Sequence, residues 1–170
     1  MAEELRIHKT LEKLFAKHSL TFNNFTEELE SKEYKACQFT VDKGIVICRT
    51  AKITPTKIGA FVTFWKRNRP SAPIQPFEET DVFSWYVVVV ESKNNSGFFV
   101  FPKSVLINRG ILSTKTKEGK RGFRVYAPWD VPSNKQAVAT QKWQIPHFYN
   151  FNNTSNVLII KRLFGCHFHM

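Results

Sequence analysis

Apolar residues recur at spacings of three to four over residues 3–18. Leu5, Leu11, Leu14 and Phe15, with Ile7 and His8, predict an N-terminal helix. Thr26 followed by Glu27 and Glu28 places a capping side chain before two acids and predicts a second short helix over 26–33. The period then shortens to two. Phe39 and Val41 alternate, Asp42-Lys43-Gly44 turns the chain, and Ile45-Val46-Ile47-Cys48 opens the next strand. An Asp-x-Gly step between β-rich runs is a hairpin signal. Thr54-Pro55-Thr56 breaks the chain after Ile53, and Phe61-Val62-Thr63-Phe64-Trp65 forms a third strand. Residues 68–76 hold three prolines and no period, so they read as a loop.

The most apolar segment is 82–91, with Trp85-Tyr86-Val87-Val88-Val89-Val90 at its centre. Such a run predicts a central strand covered on both faces. Asn94-Asn95-Ser96-Gly97 turns it into Phe98-Phe99-Val100-Phe101. A short helix follows Pro102, carries Val105, Leu106 and Arg109, and ends at Gly110. Residues 113–122 form a basic, polar loop, and 123–126 a further strand. Pro128 and Pro132 frame a turn, and Ser133 caps a helix over 134–149. The tail carries one apolar run, 157–160. The layout is α+β: helices first, a mixed, largely antiparallel central sheet, and a helix packed late. It is compatible with a restriction-endonuclease-like core.

The chain has 170 residues, enough for one domain, and 42% of them are hydrophobic. Sixteen Phe supply much of the material for a core. No run of 18 apolar residues exists, which argues against a membrane helix. Met-Ala-Glu-Glu at the start lacks the basic and apolar regions of a signal peptide. Cys37, Cys48 and Cys166 are too few and too scattered for a disulfide framework, and a cytoplasmic location is expected.

Charge changes the picture most. Lys and Arg number 25 against 14 Asp and Glu, a net charge of +11. Residues 43–69 contain Lys43, Arg49, Lys52, Lys57, Lys66, Arg67 and Arg69 and no acid. Residues 103–124 contain Lys103, Arg109, Lys115, Lys117, Lys120, Arg121 and Arg124 against Glu118 alone. Two such runs can merge into a surface that attracts a phosphate polymer, while a soluble protein of high pI is the plainer reading. No amphipathic helix with a basic rim favours a lipid surface.

Several long stretches then resemble the MepB-like family of small bacterial proteins. They are residues 49–62 (Arg-Thr-Ala-Lys-Ile-Thr-Pro-Thr-Lys-Ile-Gly-Ala-Phe-Val), Trp65-Lys66-Arg67, 73–77, 99–103, 117–126, Pro128-Trp129-Asp130 and 141–144. The resemblance covers about residues 30–150, read as a single α+β domain within 1–150. Residues 151–170 form a tail outside it. The resemblance implies a cytoplasmic protein, some of whose relatives are encoded beside a drug efflux pump, and implies no settled activity.

Function therefore rests on the residues. Thr54, Thr56 and Lys57, with Arg49 and Lys52 on the strand before them, suit a phosphate held at a turn; ordinary turn chemistry is the alternative. Trp65 beside Lys66 and Arg67 suits a stacked base next to a phosphate, or else a core Trp with solvated neighbours. Lys117, Lys120 and Arg121 lie in a loop that clamps a backbone or is simply solvated, and Lys103 and Arg124 flank it. Asp81, Glu91 and Lys93 spell the two acids and lysine of a metal-dependent nuclease of the PD-(D/E)XK type, the one reading that calls for Mg²⁺. Glu91-Ser92-Lys93 runs straight into a hairpin tip, so the spelling is weak. Cys166-His167-Phe168-His169 holds metal-ligating residue types, but it lies at a chain end, where a frayed tail is the favoured reading and no metal site is expected. Trp129-Asp130 and Trp143 are read as packing the last helix. The favoured expectation is a monomeric DNA-binding protein with a basic surface, no cofactor and no evident active site. A nuclease, and an interaction or small-molecule module with a Phe-lined pocket, are the alternatives.

Overall fold

The computed structural model describes residues 9, 12, 22–42, 44–153, 160 and 162–164. The helix expected over 3–18, the turn residue Lys43, most of the apolar run 157–160 and the Cys166–His169 sequence fall outside them. In chain order the elements are β1 (Phe22–Glu27), β2 (Cys37–Val41), β3 (Gly44–Thr50), β4 (Lys52–Thr54), β5 (Lys57–Thr63), β6 (Trp65–Lys66), β7 (Gln75–Pro76), β8 (Trp85–Glu91), β9 (Ser96–Pro102), α1 (Lys103–Asn108), β10 (Gly122–Val125), α2 (Lys135–Gln144) and β11 (Phe148–Asn150). Short 3-10 turns occupy Lys32–Tyr34 and Ile145–His147.

Six strands form one sheet in the order β1-β2-β3-β8-β9-β11. Only β3 and β8 run parallel; the other pairs are antiparallel. The sheet is thus mixed and largely antiparallel, as the alternating patterns predict. β8 lies inside it with apolar residues on both faces. Tyr86, Val88 and Val90 point to one side with Ile47, Phe99 and Phe101. Val87 and Val89 point to the other with Val46, Cys48, Phe98 and Val100. This period-two split explains why the segment reads as one unbroken apolar run.

The first face is covered by a second sheet, β10-β5-β4, and by α1 and α2 through Val62, Phe123, Val125, Leu106 and Trp143. The second face is covered by Ile160 and Phe164, both buried, with the Phe164 ring 4.8 Å from Trp85. Part of the tail therefore belongs to the core. Each such side chain removed from water stabilises the fold by about 1.5–3 kcal/mol.

Two expected helices differ. Residues 22–27 extend as β1 and pair with β2, with a register shift between Asn23 and Thr26 and Asn24 at φ 53°. The edge of β2 offers a whole ladder of hydrogen bonds, which outweighs one capping side chain worth about 1 kcal/mol. Of the two acids that suggested a helix, Glu28 becomes the ion-pair partner of Arg49 instead. At the other end, α2 begins after Asn134, whose Oδ1 accepts from Ala137 N at 2.8 Å, and Ser133 has no capping role. It stops at Gln144 rather than running to 149. Pro146 has no N–H for a helical bond, and Phe148 pairs with Phe99 as β11 joins β9.

Candidate nucleic-acid interface

The first basic run is largely neutralised in place. Arg49 is 1% exposed on the inner face of β3. Its guanidinium donates to Glu28 Oε2 at 3.0 Å, Thr63 Oγ1 at 3.1 Å and Trp65 O at 2.9 Å, while Nε has no hydrogen-bond partner. Burial raises the pKa of Glu28 above its usual range, and the Arg49 charge and hydrogen bond offset only part of that. A buried, paired guanidinium is closed to a phosphate. The sequence reading put Arg49 and Lys52 on one strand at a phosphate-holding turn. In the structure they lie on β3 and β4, in different sheets.

The neighbours follow the same pattern. Lys52 pairs with Glu33 at 3.1 Å and stands 5.0 Å from the Tyr34 ring centroid. Lys66 pairs with Asp81 at 2.6 Å and Glu78 at 2.9 Å. Burial works against its charge, but the two acids outweigh burial and raise its pKa. Arg67 pairs with Glu30 at 2.7 Å. Trp65 lies between Arg49 and Arg67, at 5.8 Å and 5.4 Å, so its ring is already occupied by protein cations. Thr54 Oγ1 accepts from Arg124 at 2.6 Å, and Thr56 and Lys57 are exposed at the β4–β5 turn.

The second run is arranged differently. Lys103 Nζ donates to Asp81 O and sits 5.1 Å from the Phe83 ring, tying α1 to the segment before β8. Arg121 pairs with Glu118 at 2.8 Å. Among the described residues, no carboxylate pairs with the rest, Arg109, Lys115, Lys117, Lys120 and Arg124. Arg124 donates to Ile58 O, Gly59 O and Thr54 Oγ1, which are neutral acceptors. The exposed Arg109 closes α1 at 5.1 Å from the Trp143 ring. Gly110 follows at φ 65°, a conformation that favours glycine, and the Lys117 ammonium lies against it: a Cβ there would meet Nζ at 2.7 Å.

The loop carrying Lys117 and Lys120 is pinned to the core. Lys120 N donates to Ile111 O at 2.9 Å, Thr114 N to Lys117 O at 2.8 Å, and Gly119 N to Ser113 Oγ at 2.8 Å. At Gly119 a Cβ would lie 2.4 Å from Ile111 O, so only glycine lets the loop approach so closely. Between β10 and α2 a cleft of about 440 Å³ opens. Arg109, Lys120 and Arg124 line it together with Asn134, Gln136 and Trp143. No acid lines it. Its back wall depends on Gln144, fully buried, whose Oε1 accepts from Tyr126 N at 2.8 Å and whose Nε2 donates to Arg124 O at 2.9 Å. This amide supplies the edge of β10 with backbone-like bonds. Sequence reasoning left Arg109, Trp143 and Gln144 out of the interface. The visible signal for Arg109 was its place at a helix end before glycine, within a basic run.

Asp81, Glu91 and Lys93 are not brought together. Asp81 lies before β8, bound to Lys66 and to Glu78 N, while Glu91 is exposed at the far end of β8 opposite Ser96. Seven residues of strand separate the two places by about 20 Å. Lys93 is exposed in the hairpin tip. Among the described residues no group of three His, Cys, Asp or Glu side chains is placed to hold a metal ion. Likewise, among them no helix is long and apolar enough to cross a membrane. Trp143 packs α2 against Phe101 of β9 at 5.5 Å, whereas the Trp129 ring meets Phe148 of β11 at 5.4 Å.

Comparison with known proteins agrees with the resemblance in the sequence. The crystal structure of MepB superposes with a TM-score of 0.76 at 35% identity, covering 86% of this chain and 98% of that one. A bacterial homing endonuclease overlaps with a TM-score of 0.39 at 21% identity, over 66% of this chain and 77% of that one. That overlap is too loose to bear on either fold or activity. No curated protein sequence matches significantly. The MepB-like family profile matches residues 28–150. These residues hold all three described sheets except β1, together with α1, α2 and every wall of the cleft, and the chain belongs to the MepB-like family.

Proposed function

We propose that the protein binds nucleic acid through the carboxylate-free cations Arg109, Lys117, Lys120 and Arg124. The observation that carries this reading is the contrast between the two basic runs. In the first, Arg49, Lys52, Lys66 and Arg67 each meet an acid. In the second, Arg109 after α1, Lys120 in the 113–121 loop and Arg124 on β10 line one cleft, Lys117 lies against Gly110 next to Arg109, and among the described residues no acid lines that cleft. Charge left uncompensated on one face is what a polyphosphate backbone recognises. Cations held at neutral carbonyls, as Arg124 is, retain their full field while their geometry is fixed.

A salt series of binding to random-sequence DNA tests the reading. Each phosphate neutralised contributes about −0.9 to the slope of log affinity against log salt, so four cations give a slope of about −3 to −4. A flat response between low and moderate salt defeats it.

A further inference from the structure

The cleft between β10 and α2 has the size of a small-ligand site, and its contents are specific. Its volume of about 440 Å³ lies inside the range of roughly 300–1,000 Å³ usual for such sites. Arg109 and Lys120 line it, and Lys117 lies against Gly110, the residue after Arg109. The Arg109 guanidinium lies 5.1 Å from the half-buried Trp143 ring, giving a flat cationic and aromatic stack at the wall. Arg124 adds its charge, with Nη1 and one Nη2 N–H already engaged by Ile58 O, Gly59 O and Thr54 Oγ1. The start of α2 adds an amide to the same cleft: Asn134 uses its Oδ1 for the helix cap and leaves the two N–H groups of Nδ2. Phosphate-binding cations, a stacking wall and amide donors in a cavity of this size describe the recognition chemistry of one nucleotide.

A duplex presents this site with little to hold. Its bases are stacked inside, and its major groove, about 12 Å wide, receives a protruding element. Here the cations line a concavity. An unpaired strand can place a base in such a cavity and stack it on an aromatic or guanidinium plane. We infer that this cleft holds one nucleotide of an unpaired strand, with the phosphate at Arg109, Lys117 and Lys120 and the base against the Arg109–Trp143 stack, so that the protein prefers single-stranded to duplex nucleic acid. The inference rests on the nucleic-acid reading above and narrows it.

The test compares a labelled 12-nucleotide single strand, the matching duplex and free dAMP, on the wild-type chain and on Gln136→Trp. That substitution fills the cleft from an exposed helix position without changing any charge. The wild-type protein is expected to bind the single strand about tenfold tighter than the duplex, and Gln136→Trp to lose most of that preference while keeping its duplex affinity. Equal affinity for both forms in the wild type, or a preference that survives in folded Gln136→Trp, overturns the cleft assignment and leaves nucleic-acid binding standing. A flat salt response with both forms defeats both readings. Binding of dAMP as tight as that of the strand assigns the cleft to free nucleotides and overturns the strand. Should the variant not fold, photo-cross-linking of a 5-iodouracil strand to the wild-type chain decides. Adducts at Trp143 or on α2 support the site, and adducts confined elsewhere overturn it.

Discussion

Arg49 shows how far a residue's role departs from its type. It is a cation within a run of cations, yet it is 1% exposed and joins Glu28, before the first 3-10 turn, to the 63–65 stretch, through Thr63 at the end of β5 and the Trp65 carbonyl on β6. Removing one partner of a buried ion pair leaves the others unsatisfied and typically costs about 3–5 kcal/mol. Arg49→Ala is therefore expected to lower unfolding stability by that order in urea titration, with DNA affinity of the folded fraction unchanged. Lys120→Ala is expected to do the opposite. It sits on an exposed loop position, so stability changes by less than about 0.5 kcal/mol while DNA affinity falls. If Arg49→Ala weakened binding without destabilising the fold, the structural role assigned to it would be wrong. His147 follows from its surroundings in the same way. Burial and then the Arg109 charge lower its pKa below the ordinary 6.5. The unfolded chain thus takes up a proton before the folded one does, and stability is lost as the pH falls from about 6.5 through the folded-state value. Chemical denaturation between pH 7.5 and 5 is expected to show that loss, reduced in His147→Gln; identical pH profiles for the two chains would remove His147 as its source.

Among elements, the 113–121 loop and α2 border the proposed interface, and they were legible to different degrees. Composition alone marks the loop as basic and polar. Its rigidity was not legible, because it depends on Ile111 O, Ser113 Oγ and the glycine at 119, none of which has a pattern in sequence. The hairpins at Asp42–Gly44 and Asn94–Gly97 and the short helix after Pro102 were legible, since turn chemistry and periodicity are local. β1 was not. A threonine before two acids caps a helix when nothing else competes, and the competitor here is the edge of β2, ten residues further on. Within the loop the cations are unequal. Arg121 is offset by Glu118, while Lys117 and Lys120 have no carboxylate partner among the described residues. Lys117→Ala and Lys120→Ala are each expected to make the salt slope shallower by about 0.9, and Arg121→Ala by clearly less. Measured slopes that fall equally for all three would show that the Glu118 pair does not screen Arg121.

At the scale of the whole molecule, the net charge of +11 misleads because it ignores where the acids go. The acids of 28–33 and 78–81 fold back onto four cations of the 43–69 run, Arg49, Lys52, Lys66 and Arg67, while Arg109, Lys120 and Arg124 line the cleft between β10 and α2 with no carboxylate partner among the described residues. No local reading of the sequence contains those long-range pairings. The same long-range geometry bears on catalysis. A nuclease of the two-acid type needs both carboxylates within about 2.0–2.6 Å of one metal ion. Asp81 is engaged by Lys66 Nζ at 2.6 Å and by Glu78 N at 2.7 Å at one end of β8, and Glu91 stands about 20 Å away at the other. Bringing them together would require breaking the β8–β9 ladder and the Lys66 pairs, in the best-buried part of the sheet. Asp81→Asn and Glu91→Gln are therefore expected to differ in kind. The first loosens the Lys66 cluster and lowers stability, and the second, exposed at a hairpin end, changes neither stability nor DNA affinity. Supercoiled plasmid incubated with clean protein and Mg²⁺ or Mn²⁺ is expected to show no cleavage that depends on both acids. Metal-dependent nicking abolished by either substitution, with binding retained, would mean that the two ends of β8 meet in a conformation other than this one, and the protein would then be an enzyme.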